Sequence, residues 1–260
     1  MKLVKIGFIN GLGRTRGCEK APNAIAKVLK DIWSKEQDTA KEFDIEEIKV
    51  DNSNIEKSVK KIIKESAEHF SEKEKAIFVG GDHSVSFALA NSFKFIYRNS
   101  GLVVLDAHAD CMKPMKEPTH EEWLRGAIEK GFDAKNVIVV GLRNVYPDES
   151  EFLKKNKINC YWMNELFSEF EKSCDLITEH ARKFENLYVS IDIDAVDPAF
   201  APGTGYTEPG GLTSRQFLHL INRLSLLKNV RAVDIVEVNP EKDLNSMTVL
   251  LAAKTITELS

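Results

Sequence analysis

Three short clusters of acids and histidines carry the chemistry this chain could do: Gly80-Gly81-Asp82-His83-Ser84, Asp106-Ala107-His108-Ala109-Asp110 and Asp192-Ile193-Asp194-Ala195-Val196-Asp197. In extended backbone, residues two and four apart share a face, so Asp106, His108 and Asp110 point together, as do Asp192 and Asp194. Adding His83 makes six oxygen or imidazole ligands. One D-x-H alone is more often a turn carboxylate or a satisfied histidine than a metal site. Four carboxylates held against one another, with Asp82 and Asp197 close by, repel unless they are protonated or neutralised, and divalent cations are the simplest remedy. A carboxylate-rich set with a few imidazoles suits Mn²⁺, with Fe²⁺, Co²⁺ and Zn²⁺ as other candidates.

The elements that must position these clusters are visible as eight short β-branched runs: Lys2 to Phe8, Asp44 to Val50, Ala76 to Val79, Leu102 to Leu105, Asn136 to Leu142, Ile158 to Tyr161, Leu187 to Ile193 and Arg231 to Val238. Between them lie segments with helical spacing, among them Ala24-Ile25-Val28-Leu29-Ile32, Val59-Ile62-Ile63-Ala67, Leu166 to Phe184 and Phe217-Leu220-Ile221-Leu224. Strands alternating with helices pair in parallel through right-handed crossovers. Val137 to Val140 and Leu102 to Leu105 are wholly apolar, as expected of strands with helices over both faces. The pattern predicts an α/β fold, a three-layer α/β/α sandwich on a mainly parallel eight-stranded sheet, as one domain over residues 1–260. Each acid and histidine cluster follows a strand, so all three fall at the same end of the sheet. The segment Asp197 to Gly211 packs three prolines and four glycines into fifteen residues and reads as a long ordered loop. Such folds place their ligands among loops of this kind.

Composition narrows the function classes. Lys and Arg number 36 against 40 Asp and Glu, a net charge of −4, too small and mixed for a nucleic-acid-coating surface. With 43% apolar and 29% charged residues, the chain can bury a large core, which argues against disorder. No apolar run approaches the roughly 18 residues of a membrane span, and the first residues do not read as a signal peptide, so the expected location is cytoplasmic, without membrane partners. Cys18, Cys111, Cys160 and Cys174 are scattered, with no C-x-x-C pair, and read as reduced thiols. His69, His180 and His219 fall inside helical patterns and read as surface or packing residues.

At this level the chain resembles the ureohydrolases, the arginase and agmatinase family. GGDHS, DAHAD and SIDIDAVDPAFAPGTG look like the family's three metal-binding motifs, and Arg16 to Pro22, Glu208 to Thr213 and Val236 to Pro240 resemble its other signatures. The resemblance implies two Mn²⁺ ions, one held by His83, Asp106, Asp110 and Asp192, the other by His108, Asp106, Asp192 and Asp194. It also implies hydroxide attack on a guanidinium carbon and collapse to urea and an amine, with Asp110 passing the proton to the leaving nitrogen. Two divalent cations lower the pKa of a shared water, so that hydroxide exists at neutral pH. Glu237 matches the carboxylate that grips the guanidinium, whose planar N–H fork a carboxylate suits. His120 resembles the proton-shuttle histidine, although Glu121-Glu122-Trp123 follow it where the family commonly has a glycine. As an alternative, Thr119 and Glu122 could simply cap a helix. The family generally forms trimers or hexamers, so a homo-oligomer is expected.

For the small guanidino substrate the signals divide. Val140 to Pro147 looks like the arginase branch, yet Met112 and Tyr146 stand where an asparagine and an aspartate are usual for reading an amino acid. The short spacing from Asp110 to His120 is closer to agmatinases. Agmatine therefore leads, ahead of L-arginine. A guanidino acid or formimidoylglutamate comes third, if Lys113, Lys116 and Arg125 receive an acidic tail. A metal-dependent amidase or deacetylase is the rival enzyme, and an inactive binding member the rival outside enzymes.

Overall fold

Aliphatic residues on both sides of each central strand dictate a sheet buried between two helical layers. The computed structural model describes every residue except 37, 40, 41 and 73. In chain order its elements are β1 (Lys2–Lys5), α1 (Ala21–Val28), β2 (Asp44–Glu47), α2 (Ile55–Phe70), β3 (Ala76–Val79), α3 (Ser84–Ile96), β4 (Ser100–Leu105), α4 (Trp123–Glu129), β5 (Val137–Leu142), α5 (Pro147–Asn156), β6 (Asn159–Trp162), α6 (Met163–Ser168), α7 (Phe170–Ala181), β7 (Asn186–Asp192), α8 (Ser214–Ser225), β8 (Val230–Val236) and α9 (Met247–Leu259). The eight predicted strands are all present. They pair side by side in the order β2-β1-β3-β8-β7-β4-β5-β6, and every pairing is parallel, so the sheet is more uniform than the mainly parallel one expected.

Alternation along each strand feeds two separate cores. Leu3, Ile77, Val79, Val103 and Leu105 face one side and meet α1, α6, α7, α8 and α9 through Ile25, Leu166, Ile177, Phe217 and Ile256. Val4, Phe78, Leu102 and Val104 face the other and meet α2, α3, α4 and α5 through Ile62, Phe93, Trp123 and Leu153. This is the three-layer arrangement, and period-two burial on both faces is its cause.

Some boundaries move. The predicted runs ending at Phe8, Val50 and Val238 stop pairing at Lys5, Glu47 and Val236, because the chain turns there to build the loops over the sheet's carboxyl end. The helical stretch Leu166 to Phe184 is two helices broken at Glu169, where ψ swings to 59°. Apolar periodicity runs through that single non-helical residue, so spacing alone could not reveal the break. Asp197 to Gly211 is the expected loop.

Candidate metal centre

Four neighbouring strands, β3, β8, β7 and β4, deliver the candidate residues from their carboxyl ends. His83 follows β3 across Gly80 and Gly81, Asp106 to Asp110 follow β4, Asp192 ends β7, and Glu237 follows β8. One turn of 3₁₀ helix, Ile193–Ala195, turns Asp194 back toward Asp106 and Asp192. Gly81 must be a glycine: a Cβ there would lie 2.2 Å from the Phe8 carbonyl oxygen. That close approach lets Asp82 N–H donate to Phe8 O at 3.1 Å and Glu237 N–H donate to Gly81 O at 2.9 Å, tying three loops together.

The donors converge in two linked groups. His83 Nδ1 lies 3.1 Å from Asp106 Oδ2, 3.0 Å from Asp110 Oδ2 and 3.3 Å from Asp192 Oδ2. His108 Nδ1 lies 2.9 Å from Asp194 Oδ2 and 3.5 Å from Asp106 Oδ1. Ligand atoms of His83, Asp106 and Asp110 all lie within 4.8 Å of one another, as do those of Asp106, His108 and Asp194, so Asp106 belongs to both groups. Backbone donors hold the carboxylates in place: His108 N–H to Asp106 at 2.7 Å, Asp194 N–H to Asp192 at 2.8 Å and Ala107 N–H to Asp194 at 3.0 Å.

This donor set fits a pair of divalent cations. His83 Nε2 is 3.0 Å from Ser190 Oγ, and that hydroxyl donates to Asp234 at 2.8 Å, so the serine must accept the imidazole N–H. Nε2 therefore keeps a proton, and Nδ1 is the atom that faces three carboxylates, where it takes up either a second proton or a metal ion. His83 Nδ1 and Asp106 Oδ2 are buried and have no hydrogen-bond partner. Lone pairs opposed in this way need a cation between them. The titration behaviour agrees. Burial would lower the pKa of His83, but the carboxylates of Asp106, Asp110 and Asp192 outweigh it and raise it well above the usual range. Asp194 and Asp106 likewise raise His108 against its burial. Burial, then the charge of Asp106, pushes Asp110 up to about 7. Burial, then Asp194 and Asp106, lifts Asp192 well above the carboxylate range. The donors attract protons as they would attract metal ions.

A model of the Arginase family matches residues 3–260 of this chain. Proclavaminate amidinohydrolase of Streptomyces clavuligerus is 34% identical over 190 residues, which are 70% of this chain and 60% of that protein. Arginase 1, mitochondrial, of Arabidopsis thaliana is 32% identical over 206 residues, 76% of this chain and 58% of that protein. The chain belongs to the arginase family. Its match spans about three fifths of the length of those curated relatives. In fold it superposes on formimidoylglutamase from Bacillus subtilis with a TM-score of 0.90 at 21% identity, covering 99% of this chain and 85% of that one.

Beside this family fold lies the part of the site that motifs describe least. A cleft opens beside His108, Asp110 and His120, walled by Met112, Glu121, Asn144, Tyr146, Glu149, Tyr206 and Glu208. Both residues that depart from the arginase pattern, Met112 and Tyr146, thus face it. His120 is buried against Tyr206, ring centroids 5.3 Å apart, and neither ring nitrogen has a hydrogen-bond partner. Burial, then positive charge at His83 and His108, pushes its pKa down to about 4. The expected helix cap is not formed: α4 begins at Trp123 with Glu122, not Thr119, at its N-terminal boundary, and the buried Thr119 hydroxyl has no hydrogen-bond partner. Glu122 accepts Thr119 N–H at 3.3 Å and Met115 N–H at 3.0 Å, while His120 still faces the cleft.

Glu237 is buried, and its backbone adopts φ 62°, a left-handed conformation a non-glycine residue rarely takes. Its carboxylate accepts His83 N–H at 2.9 Å and lies 3.7 Å from the Cys18 thiol. Among the described residues no lysine or arginine forms a salt bridge with it. Burial, then the charge of Asp82, raises its pKa well above the usual range.

Other expectations are corrected. Asp197 stands outside the cluster, because its carboxylate accepts the N–H groups of Ala199, Gly210 and Gly211 and shapes the glycine-rich loop. Lys116 pairs with Glu56 at 2.7 Å, Arg125 pairs with Glu129 at 2.8 Å and stacks over Phe152, and neither they nor Lys113 lines the cleft. Sequence reasoning missed Ser190, Asp234, Trp123 and Tyr206 as neighbours of the site. Of these, Ser190 carried a signal, being polar in an apolar strand two residues before Asp192. All four cysteines are free thiols, and no helix is long and apolar enough to cross a membrane among the described residues.

Proposed function

We propose that this chain is a binuclear manganese ureohydrolase that splits a small guanidino compound into urea and an amine, with agmatine as substrate. The observation that carries the reading is Glu237, a buried carboxylate without a cationic partner beside a two-group cluster of carboxylates and imidazoles. An isolated buried charge is costly, and a planar guanidinium supplies the missing cation with a fork of N–H donors. An acyl substrate offers no such fork, which disfavours the amidase reading.

In this proposal His83, Asp106, Asp110 and Asp192 hold one Mn²⁺, and His108, Asp106, Asp192 and Asp194 hold the other. Bound together, such ions supply hydroxide at neutral pH. Glu237 fixes the guanidinium plane against that nucleophile. Asp110 carries the proton to the leaving nitrogen. His120, kept neutral by burial, accepts a proton at the cleft wall.

The choice of agmatine rests on charge. Glu121, Glu149 and Glu208 stand in the cleft wall, and no lysine or arginine does. Arg14, 5.3 Å over the Tyr206 ring, is not among the lining residues. A distal ammonium is favoured there, and the carboxylate of a guanidino acid, of formimidoylglutamate or of L-arginine is disfavoured. Urea release by Mn²⁺-loaded protein from agmatine, L-arginine, guanidinobutyrate and guanidinopropionate, each offered separately, tests the reading. Agmatine should be the best substrate, and urea from none of the four, with two metals bound, overturns it.

A further inference from the structure

Trp123 is fully buried at the first position of α4, and a buried indole N–H must find an acceptor. It donates to Asp110 Oδ2 at 2.8 Å, the same oxygen that lies 3.0 Å from His83 Nδ1. The indole also lies against the His83 imidazole, ring centroids 4.6 Å apart at 35°. The backbone adds to this hold, since the Asp110 carbonyl accepts the N–H groups of Leu124 at 3.2 Å and Arg125 at 3.4 Å. Asp110 needs such support, because it sits at φ 49°, a left-handed conformation that non-glycine residues adopt uncommonly.

We propose that Trp123 is a positioning residue for the metal group of His83, Asp106 and Asp110. Its N–H fixes the plane of the Asp110 carboxylate, and its ring fixes the tilt of His83. An indole suits the task because it donates one hydrogen bond, accepts none and does not titrate. It occupies a single lone pair of the carboxylate and leaves the others to a cation. Partners of this kind outside the ligand set orient ligands and tune their affinity. The second group is held differently: His108 Nε2 lies 3.3 Å from Glu208, which Asn144 holds at 2.7 Å. A defect at Trp123 therefore falls on one metal rather than both.

This inference rests on the two-metal reading, and the experiment separates the two. Trp123→Phe keeps an aromatic ring against His83 and removes the N–H. Replacement of Trp123 by benzothienylalanine, with sulfur in place of the N–H, keeps the indole's shape and decides the matter should the phenylalanine variant fold poorly. Mn²⁺ stoichiometry and affinity of the full chain are read by equilibrium dialysis and elemental analysis. Wild type should bind two Mn²⁺ ions. Each variant should hold one with unchanged affinity and the other about 10- to 100-fold more weakly. Two Mn²⁺ held with wild-type affinity in the benzothienyl variant, or equal weakening of both, overturns the role of Trp123. No Mn²⁺ uptake by wild type overturns the two-metal reading as well.

Discussion

Glu237 and His83 are joined through the backbone: the Glu237 carboxylate accepts the His83 N–H at 2.9 Å, so the residue that would grip a guanidinium is anchored to the loop carrying a metal donor. Its anchoring oxygen is Oε1, while Oε2 faces the Cys18 thiol at 3.7 Å. Glu237→Gln preserves the shape and removes the charge. Loss of one charge-assisted interaction costs about 2–3 kcal/mol, so kcat/KM should fall roughly 30- to 150-fold. Metal content should stay that of wild type, because the Glu237 carboxylate hydrogen-bonds to none of the metal-donor side chains, only to the His83 N–H and the Cys18 thiol. Glu237→Ala should likewise keep both metals. Steady-state urea release with parallel elemental analysis checks both, and a wild-type KM in the glutamine variant would refute the grip.

Asp194 lies 2.9 Å from His108 Nδ1 on the opposite side of the shared Asp106, outside the His83 group. Asp194→Ala should therefore remove one of two bound metals and lower activity more than about 100-fold, since a direct ligand outweighs the outer partners whose loss costs 10- to 100-fold. The metal-to-protein ratio should fall from two to one. Full activity in this variant would end the two-metal reading.

Much of this arrangement was legible because each donor lies at or just beyond a strand end, and strands of apolar, β-branched residues are what periodicity detects best. Asp106, His108 and Asp110 do not share a face through extended backbone as expected: β4 ends at Leu105, the chain bends at residues 107–108 with His108 N–H on the Asp106 carboxylate, and Asp110 is left-handed at φ 49°. Asp194 does not reach the cluster that way either: it is turned in by a 3₁₀ turn whose N–H bonds to Asp192. The insertion of β8 between β3 and β7, which brings Glu237 to His83, was not legible, because strand order depends on how distant segments pack. Trp123 and Tyr206 were hidden for a related reason. An aromatic residue in a loop or helix reads as core until its polar edge or ring face is seen against a particular partner.

The agmatine proposal makes a charge prediction at the cleft wall. Glu121 and Glu208 are partly exposed, so their attraction for a distal ammonium should be solvent-screened, about 0.5–1 kcal/mol each. Glu121→Gln should raise KM for agmatine about two- to five-fold and leave kcat nearly unchanged. For guanidinobutyrate the same change should lower KM, because a repulsion is removed. Competition kinetics at low ionic strength reads the ratio most clearly. A ratio unmoved by this substitution would place the distal end of the substrate elsewhere.

His120 offers a pH signature independent of turnover. In the unfolded chain its imidazole titrates at its ordinary value near 6.5, whereas burial and neighbouring positive charge push it down to about 4 in the fold. Between those values the unfolded state binds a proton that the folded state refuses, so stability rises with pH across the window and is lost as pH falls from about 6.5 toward 4. Urea-unfolding free energies of wild type and His120→Asn, compared at fixed metal concentration, should diverge with pH. The wild-type value minus the variant value should drop by about 2 kcal/mol between pH 7.5 and 4.5. The comparison cancels the titration of carboxylates common to both proteins. A flat difference would mean that His120 ionises as an ordinary exposed histidine and is already charged in mildly acidic solution. A sloped one leaves it neutral there, with neither ring nitrogen in a hydrogen bond, in the state a proton acceptor beside the cleft requires.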